Sequence, residues 1–227
     1  MGKQTRILEW LEEQYKCLRE SFFVRCACDA GRFSVLKWAF ERRDYYALPM
    51  SAFSELDILN CFMHAAMYKR REDMDWILES FGKNALLSVS DIYQQVDYSQ
   101  EETYLEALGW MALKPGNTVE VNPRMMEDAA KVGHVRVFQW LCKQGQTPTL
   151  NVAKIAAKHG KIGILKAIHA EDSALVCSVE VANEAAKSQS VWRYDILEWM
   201  WEACTILPTE PEEDSHLQNW VADKSSC

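Results

Sequence analysis

Glu127-Asp128-Ala129-Ala130-Lys131-Val132-Gly133-His134-Val135-Arg136-Val137-Phe138-Gln139-Trp140-Leu141 reads as helix, tight turn, helix. The small pair Ala129-Ala130 lets the first helix approach its neighbours closely. Gly133, three residues on, has no Cβ and can take the left-handed conformation that ends a helix. The run Val137-Phe138-Gln139-Trp140-Leu141 gives the second helix an apolar pair, a Trp and a further apolar residue.

That run recurs along the chain. It is seen at Ile7-Leu8-Glu9-Trp10-Leu11, Val35-Leu36-Lys37-Trp38-Ala39, Ala107-Leu108-Gly109-Trp110-Met111 and Ile196-Leu197-Glu198-Trp199-Met200. Met74-Asp75-Trp76-Ile77 is a degenerate copy, and Ile164-Leu165-Lys166-Ala167-Ile168 carries Ala for Trp. The Trp positions 10, 38, 76, 110, 140, 167 and 199 are 27 to 38 residues apart, the period of a two-helix repeat. Before the last six of these positions lies a pair, about eleven residues upstream: Ala27-Cys28, Ala65-Ala66, Ser99-Gln100 (a poor copy), Ala129-Ala130, Ala156-Ala157 and Ala185-Ala186, the last displaced by three extra residues. Three residues after the pair comes Gly31, Gly133 or Gly160, with Lys69, Thr103 and Gln189 in the other copies. Ser54, three residues before Asp57, is an expected N-cap, and Asn122-Pro123 and Thr147-Pro148 are expected to start helices with a capping side chain followed by Pro. Each unit alone has too little core, so stacked units must share one.

The stretch 127–141 resembles the core of the ankyrin repeat. Ala156-Ala157-Lys158-His159-Gly160-Lys161-Ile162-Gly163-Ile164-Leu165 and Cys26-Ala27-Cys28-Asp29-Ala30-Gly31-Arg32-Phe33-Ser34-Val35-Leu36-Lys37-Trp38 are similar. The Leu-Lys-Trp-Ala form is similar to the Trp-rich ankyrin-like repeats. The Thr-Pro-Leu-His start of that family is absent, and units of 27 to 30 residues leave little room for protruding β-hairpins. The expected fold is therefore all-α: an ankyrin-like helical-hairpin solenoid of about seven units over residues 1–207, with short or irregular loops. An acidic linker and tail follow over 208–227, where Pro208, Pro211 and neighbouring acids break the pattern.

The whole chain has 227 residues, 48% apolar and 26% charged, with net charge −8. A chain this long can bury a core without disulfides or metals. No apolar run approaches the roughly 20 residues of a membrane helix, and MGKQTRILEW lacks a secretory apolar stretch. A soluble intracellular protein of the cytoplasm, or alternatively the nucleus, is expected. The eight cysteines are scattered and read as small core residues of a reducing compartment. Cys26-Ala-Cys28 has no second close pair, so no zinc site is read from it.

Catalytic signatures are missing from the sequence: it has no Gly-x-Ser-x-Gly elbow, phosphate loop, dinucleotide fingerprint or His-Glu-x-x-His. With nine glycines and histidines scattered over helix ends and tail, no enzyme activity, cofactor, metal or small-molecule substrate is expected. Charge is uneven. Residues 46–120 hold 5 basic and 12 acidic side chains, whereas 121–170 hold 8 basic and 2 acidic. Lys154, Lys158 and Lys161 share one side of a helix and suit an acidic partner. Nucleic acid is a poor fit to an acidic chain.

The resemblance implies a non-enzymatic adaptor or scaffold that binds a protein partner through its concave side and loops. The alternative is a constitutive subunit of a large complex. Candidate contact residues are Tyr45 and Tyr46, Asn117 and Thr118, Gln146 and Thr149, the three lysines, and Trp220. Trp192, Trp201 and Trp220 fall outside the repeat phase, and an exposed Trp is a favoured interface anchor. The tail around Trp220 docks either on this chain or on another.

Overall fold

The computed structural model describes residues 6, 25–28, 30–45, 53–81, 101–113, 124–209 and 214–226. Among these residues every regular element is a helix and none is a strand. The chain divides into two compact units, residues 1–120 and 121–227. Unit 1 contains α1 (Phe33–Glu41), α2 (Glu55–Met67), α3 (Arg71–Phe81) and α4 (Glu101–Leu113). Unit 2 contains α5 (Arg124–Val132), α6 (Val135–Lys143), α7 (Leu150–Lys158), α8 (Ile162–Glu171), the single turn α9 (Ser173–Val176), α10 (Val179–Ala186), α11 (Arg193–Cys204) and α12 (Ser215–Ser225).

One turn is built four times. Gly31, Gly133 and Gly160 have φ of +59°, +96° and +72°, and Lys69, the non-Gly copy, has φ +54°. The residue after each donates its N–H to the carbonyl of the first member of the small pair: Arg32 to Ala27, Arg70 to Ala65, His134 to Ala129 and Lys161 to Ala156, at 2.8 to 3.0 Å. The left-handed residue thus reverses the chain while satisfying a carbonyl that the helix end would leave open. Lys69 holds this geometry although a side chain there is strained. Thr103, expected at the same place, lies instead inside α4 and is buried.

The small pairs Ala27-Cys28, Ala65-Ala66, Ala129-Ala130, Ala156-Ala157 and Ala185-Ala186 are all buried, none above 5% exposure. Ser99-Gln100 lies outside the described residues. First helices start on hydroxyl caps: Ser54 accepts from the N–H of Asp57, Thr149 from Val152 and Ser178 from Val181. The start expected at Thr147-Pro148 is displaced by two residues, because only Thr149 stands three residues before a backbone N–H in the register set by buried Val152, Ala153, Ala156 and Ala157. Asn122-Pro123 lies outside the described residues.

In the second helices the buried positions are the two residues at −3 and −2 from the Trp and the one at +1. Val35, Leu36 and Ala39, Val137, Phe138 and Leu141, Ile164, Leu165 and Ile168, and Ile196, Leu197 and Met200 fill them. Truncating fully buried Phe138 to Ala would cost about 3–5 kcal/mol. At about 100° per residue the Trp falls roughly 100° from the centre of that arc. It is therefore a flank position, whose burial varies from copy to copy. Trp38 and Trp110 are buried, Trp76, Trp140 and Trp199 are half-buried, and Trp10 is outside the described residues.

The flank position has a use. Trp76 meets the ring of Phe40 edge-on at 5.7 Å and lies under the ammonium of Lys37 at 5.4 Å. Trp199 meets His169 edge-on at 5.7 Å and lies under Lys166 at 6.0 Å. In both units the partners sit at −1 and +2 of the preceding copy. In these two copies the Trp joins successive second helices through ring and cation contacts.

Unit 2 is a two-layered stack. First helices α5, α7 and α10 lie side by side, and α6 packs on α8. Glu127 of α5 accepts a hydrogen bond from Asn151 of α7 at 2.8 Å. In unit 1, α2 packs on both α3 and α4. Phe40, Phe53, Trp76 and Phe81 form an aromatic cluster there. Asp73, at a position that is apolar in other copies, is buried and bridged by Lys37 at 2.7 Å and Arg70 at 2.6 Å. The degenerate copy thus replaces an apolar contact with a compensated charge.

One further sequence reading is corrected, that of the cysteines, and of the two alternatives for the tail the structure shows docking in cis. Cys177 and Cys204 form a disulfide across 27 residues, one repeat length. Cys28 and Cys61 are buried, Cys142 is half-buried and Cys26 is exposed. The tail docks on its own chain. Asp214 caps α12 and pairs with Arg193, Glu198 accepts from Trp220 Nε1 at 3.1 Å and pairs with Lys224, and Leu217 is fully buried. Backbone and side chain of Thr209 bond Asn183 of α10, and Pro208 is buried.

Candidate functional site

The turns between first and second helices lie in a row in unit 2, each seated on its neighbour. A Cβ on Gly133 would meet the Lys161 side chain at 2.8 Å, and one on Gly163 would meet Val135 at 2.9 Å. A Cβ on Gly160 would meet Ser190 Oγ at 2.1 Å. Ser188, buried, donates to the carbonyl of Lys158 at 2.8 Å and accepts from the N–H of Ser190. Ser190 Oγ in turn accepts from the N–H of Trp192.

This seating gathers charge. His159, at the end of α7, is surrounded by Lys131 of α5 and by Lys158 and Lys161 of its own turn. Burial first, and then these three cations, hold its imidazole below the ordinary value of 6.5. At neutral pH the ring is therefore uncharged and the positive field comes from the lysines. Among the described residues none of the three ammonium groups lies within ion-pair distance of a carboxylate. On the same helix as Lys131, the half-buried Asp128 keeps one carboxylate oxygen buried without a hydrogen bond. Desolvation raises its pKa against the pull of Arg124 and Lys131.

The same row carries exposed apolar surface. Val191 is 87% and Trp192 58% exposed. A cationic rim beside an exposed indole can hold an acidic segment by charge and anchor one apolar residue.

The sequence-derived candidates separate in space. Lys158 and Lys161 join the cluster, but not on one helix as the spacing suggested: α7 ends at Lys158, and Lys161 caps α8 after the left-handed Gly160 turns the chain. Lys154 stands one turn earlier on α7, half-buried. Thr149 caps the opposite end of α7, roughly 13 Å away at about 1.5 Å per residue, and Gln146 lies in the loop before it. Tyr45 belongs to unit 1, in the turn after α1, and is 83% exposed. Tyr46, Asn117 and Thr118 lie outside the described residues. Trp220 directs its N–H to Glu198 within the chain. Lys131 and Trp192 were legible as a basic residue before a turn Gly and as an off-phase Trp, but only the stacking of turns joins them.

A second constellation was not legible. His169 of α8, Cys177 after α9 and Cys204 at the end of α11 place ligand atoms within 4.8 Å of one another. Among the described residues, no helix is long and apolar enough to cross a membrane. No family model, curated protein or solved structure matches the chain.

Proposed function

We propose that the chain is a non-enzymatic protein-interaction module, an adaptor or scaffold built from ankyrin-like helical hairpins, and that the turn row of unit 2 binds an acidic segment of a protein partner. The observation that carries this reading is the joint presence of three lysines around His159, without an ion pair among the described residues, and the exposed Val191-Trp192 beside them. The four equal turns and the repeated Trp bridges support the ankyrin-like part of the reading.

The test is affinity capture from the source cells with the wild-type chain, K131E/K158E and W192A, washed at low and high salt. The binding sought is lost in both variants and weakened by salt, because exposed charge pairs are screened over about 8 Å at physiological ionic strength. Both side chains altered in K131E/K158E are exposed, so its melting temperature should match the wild type. An unchanged set of captured proteins would remove the turn row from the proposal. A stoichiometric assembly that resists salt and both variants would point instead to a constitutive subunit.

A further inference from the structure

We infer that His169, Cys177 and Cys204 form a zinc site that exists only when the disulfide is reduced. The three come from separate elements of unit 2: the last turn of α8, the residue after α9 and the last residue of α11. Their ligand atoms lie within 4.8 Å of one another, and all three residues are half-buried, so an ion can reach them. The Cα atoms of the two cysteines are 5.2 Å apart. Around zinc, with Zn–S of about 2.3 Å, two tetrahedral sulfurs stand about 3.8 Å apart, a separation that side-chain rotation alone can reach. The edge contact with Trp199 fixes the His169 ring, so Trp199 is a positioning residue.

The donor set selects the metal. Two thiolates and an imidazole suit a borderline-soft ion such as Zn2+ over Mg2+ or Ca2+, and three protein ligands leave the fourth position for water or a partner's donor. The disulfide sulfurs of the oxidised chain are poor ligands. The exchange balances as follows. A dithiol reductant gives two electrons and two protons to the Cys177–Cys204 bond and becomes its own cyclic disulfide. The two thiols then release two protons as their sulfurs and the neutral His169 nitrogen bind Zn2+. Either linkage, covalent or metal, ties the end of α11 to the α8–α9 corner.

The full chain is reduced with a phosphine, freed of it anaerobically and titrated with Co2+ and then Zn2+. One equivalent of Co2+ should give a thiolate-to-metal charge-transfer band that Zn2+ erases. The disulfide form, which is folded and lacks these thiolates, should give no such band. C177S/C204S should abolish the band, H169A should weaken binding about tenfold or more, and C26S/C28S should leave it unchanged. No band in the reduced, folded chain overturns the proposal. So does a band that survives in C177S/C204S, or one that vanishes in C26S/C28S. Should C177S/C204S fail to fold, a band in the disulfide form is the overturning result. None of these outcomes depends on a protein partner.

Discussion

Replacing Gly160 by Ala should destabilise the protein far more than replacing Gly145 by Ala, although both glycines have positive φ. At Gly145, φ +88°, nothing lies within 4 Å of an added Cβ. The change then costs only the left-handed backbone penalty, less the entropy that Ala removes from the unfolded chain, about 1 kcal/mol. At Gly160, φ +72°, the new Cβ would lie 2.1 Å from Ser190 Oγ and 2.5 Å from Ser190 Cβ. Because the Cβ is included, rotating the hydroxyl does not relieve the clash and the 188–192 segment must shift. That movement threatens the bonds from Ser188 to Lys158 and from Trp192 N–H to Ser190. With overpacking at about 1–3 kcal/mol, G160A should lose about 2–4 kcal/mol in all. Urea unfolding followed by Trp fluorescence measures both variants. A double-mutant cycle with S190G, which removes both clashing atoms, should recover about 2 kcal/mol of coupling. Equal losses for G160A and G145A, or a coupling near zero, would refute the claim that each turn is seated on the next.

The other outcomes follow from the same geometry. K69G should stabilise unit 1 by about 0.5–1 kcal/mol, read as a higher urea midpoint, because it relieves a left-handed Lys at φ +54°. Glu198 is held below its ordinary 4.5 by Lys224 first and then Trp220, and Asp214 below 3.8 by Arg193. Their contribution to tail docking should be complete above pH 4.5 and lost as pH falls through the depressed values, seen as hydrogen exchange rising in α12 before the rest. His159 titrates low for the opposite reason. Its neutral form is favoured in the folded chain, so stability should fall as pH drops below 6.5, and K131E/K158E should raise its NMR-measured pKa towards that value. Reducing Cys177–Cys204 without added metal should cost about 3.5 kcal/mol, from closure of a 27-residue loop in the chain-entropy model. An unchanged denaturation midpoint would refute that.

The repeat was legible because it rests on local chemistry. A small pair marks close helix packing, and the residue three positions later must turn the chain, so even Lys69 was placed by phase alone. What escaped the sequence was which flank faces which neighbour. The run around Trp140 shows an apolar arc, but whether Trp sits inside it or at its edge depends on the crossing of the next hairpin. The same holds for α4, whose Trp110 lies 5.6 Å from Phe62 of α2, a first helix. Cys177 and Cys204 are unremarkable in composition and meet only because α11 returns the chain by one repeat. For the candidate site, Lys158 and Lys161 were singled out from helical spacing, but Lys161 lies beyond the Gly160 turn as the N-cap of α8, so the two share a turn and not one helix. Lys131 and Trp192 needed the lateral stacking of turns, which periodicity along the chain does not encode.

A stack of like units has an intrinsic problem of valence: the surface that receives one hairpin is still there after the last has arrived. In this chain α12 and the 205–209 return occupy that surface. They engage the first helix of the last hairpin through Asn183 and the second through Arg193 and Glu198, and they bury Leu217. Helix α12 then works as a chain terminator in the polymer sense, a plug seated on this hairpin. A chain cut after Leu207 would keep its hairpins but present an unsatisfied acceptor, and end-to-end oligomerisation, rather than unfolding, is the failure it should show first.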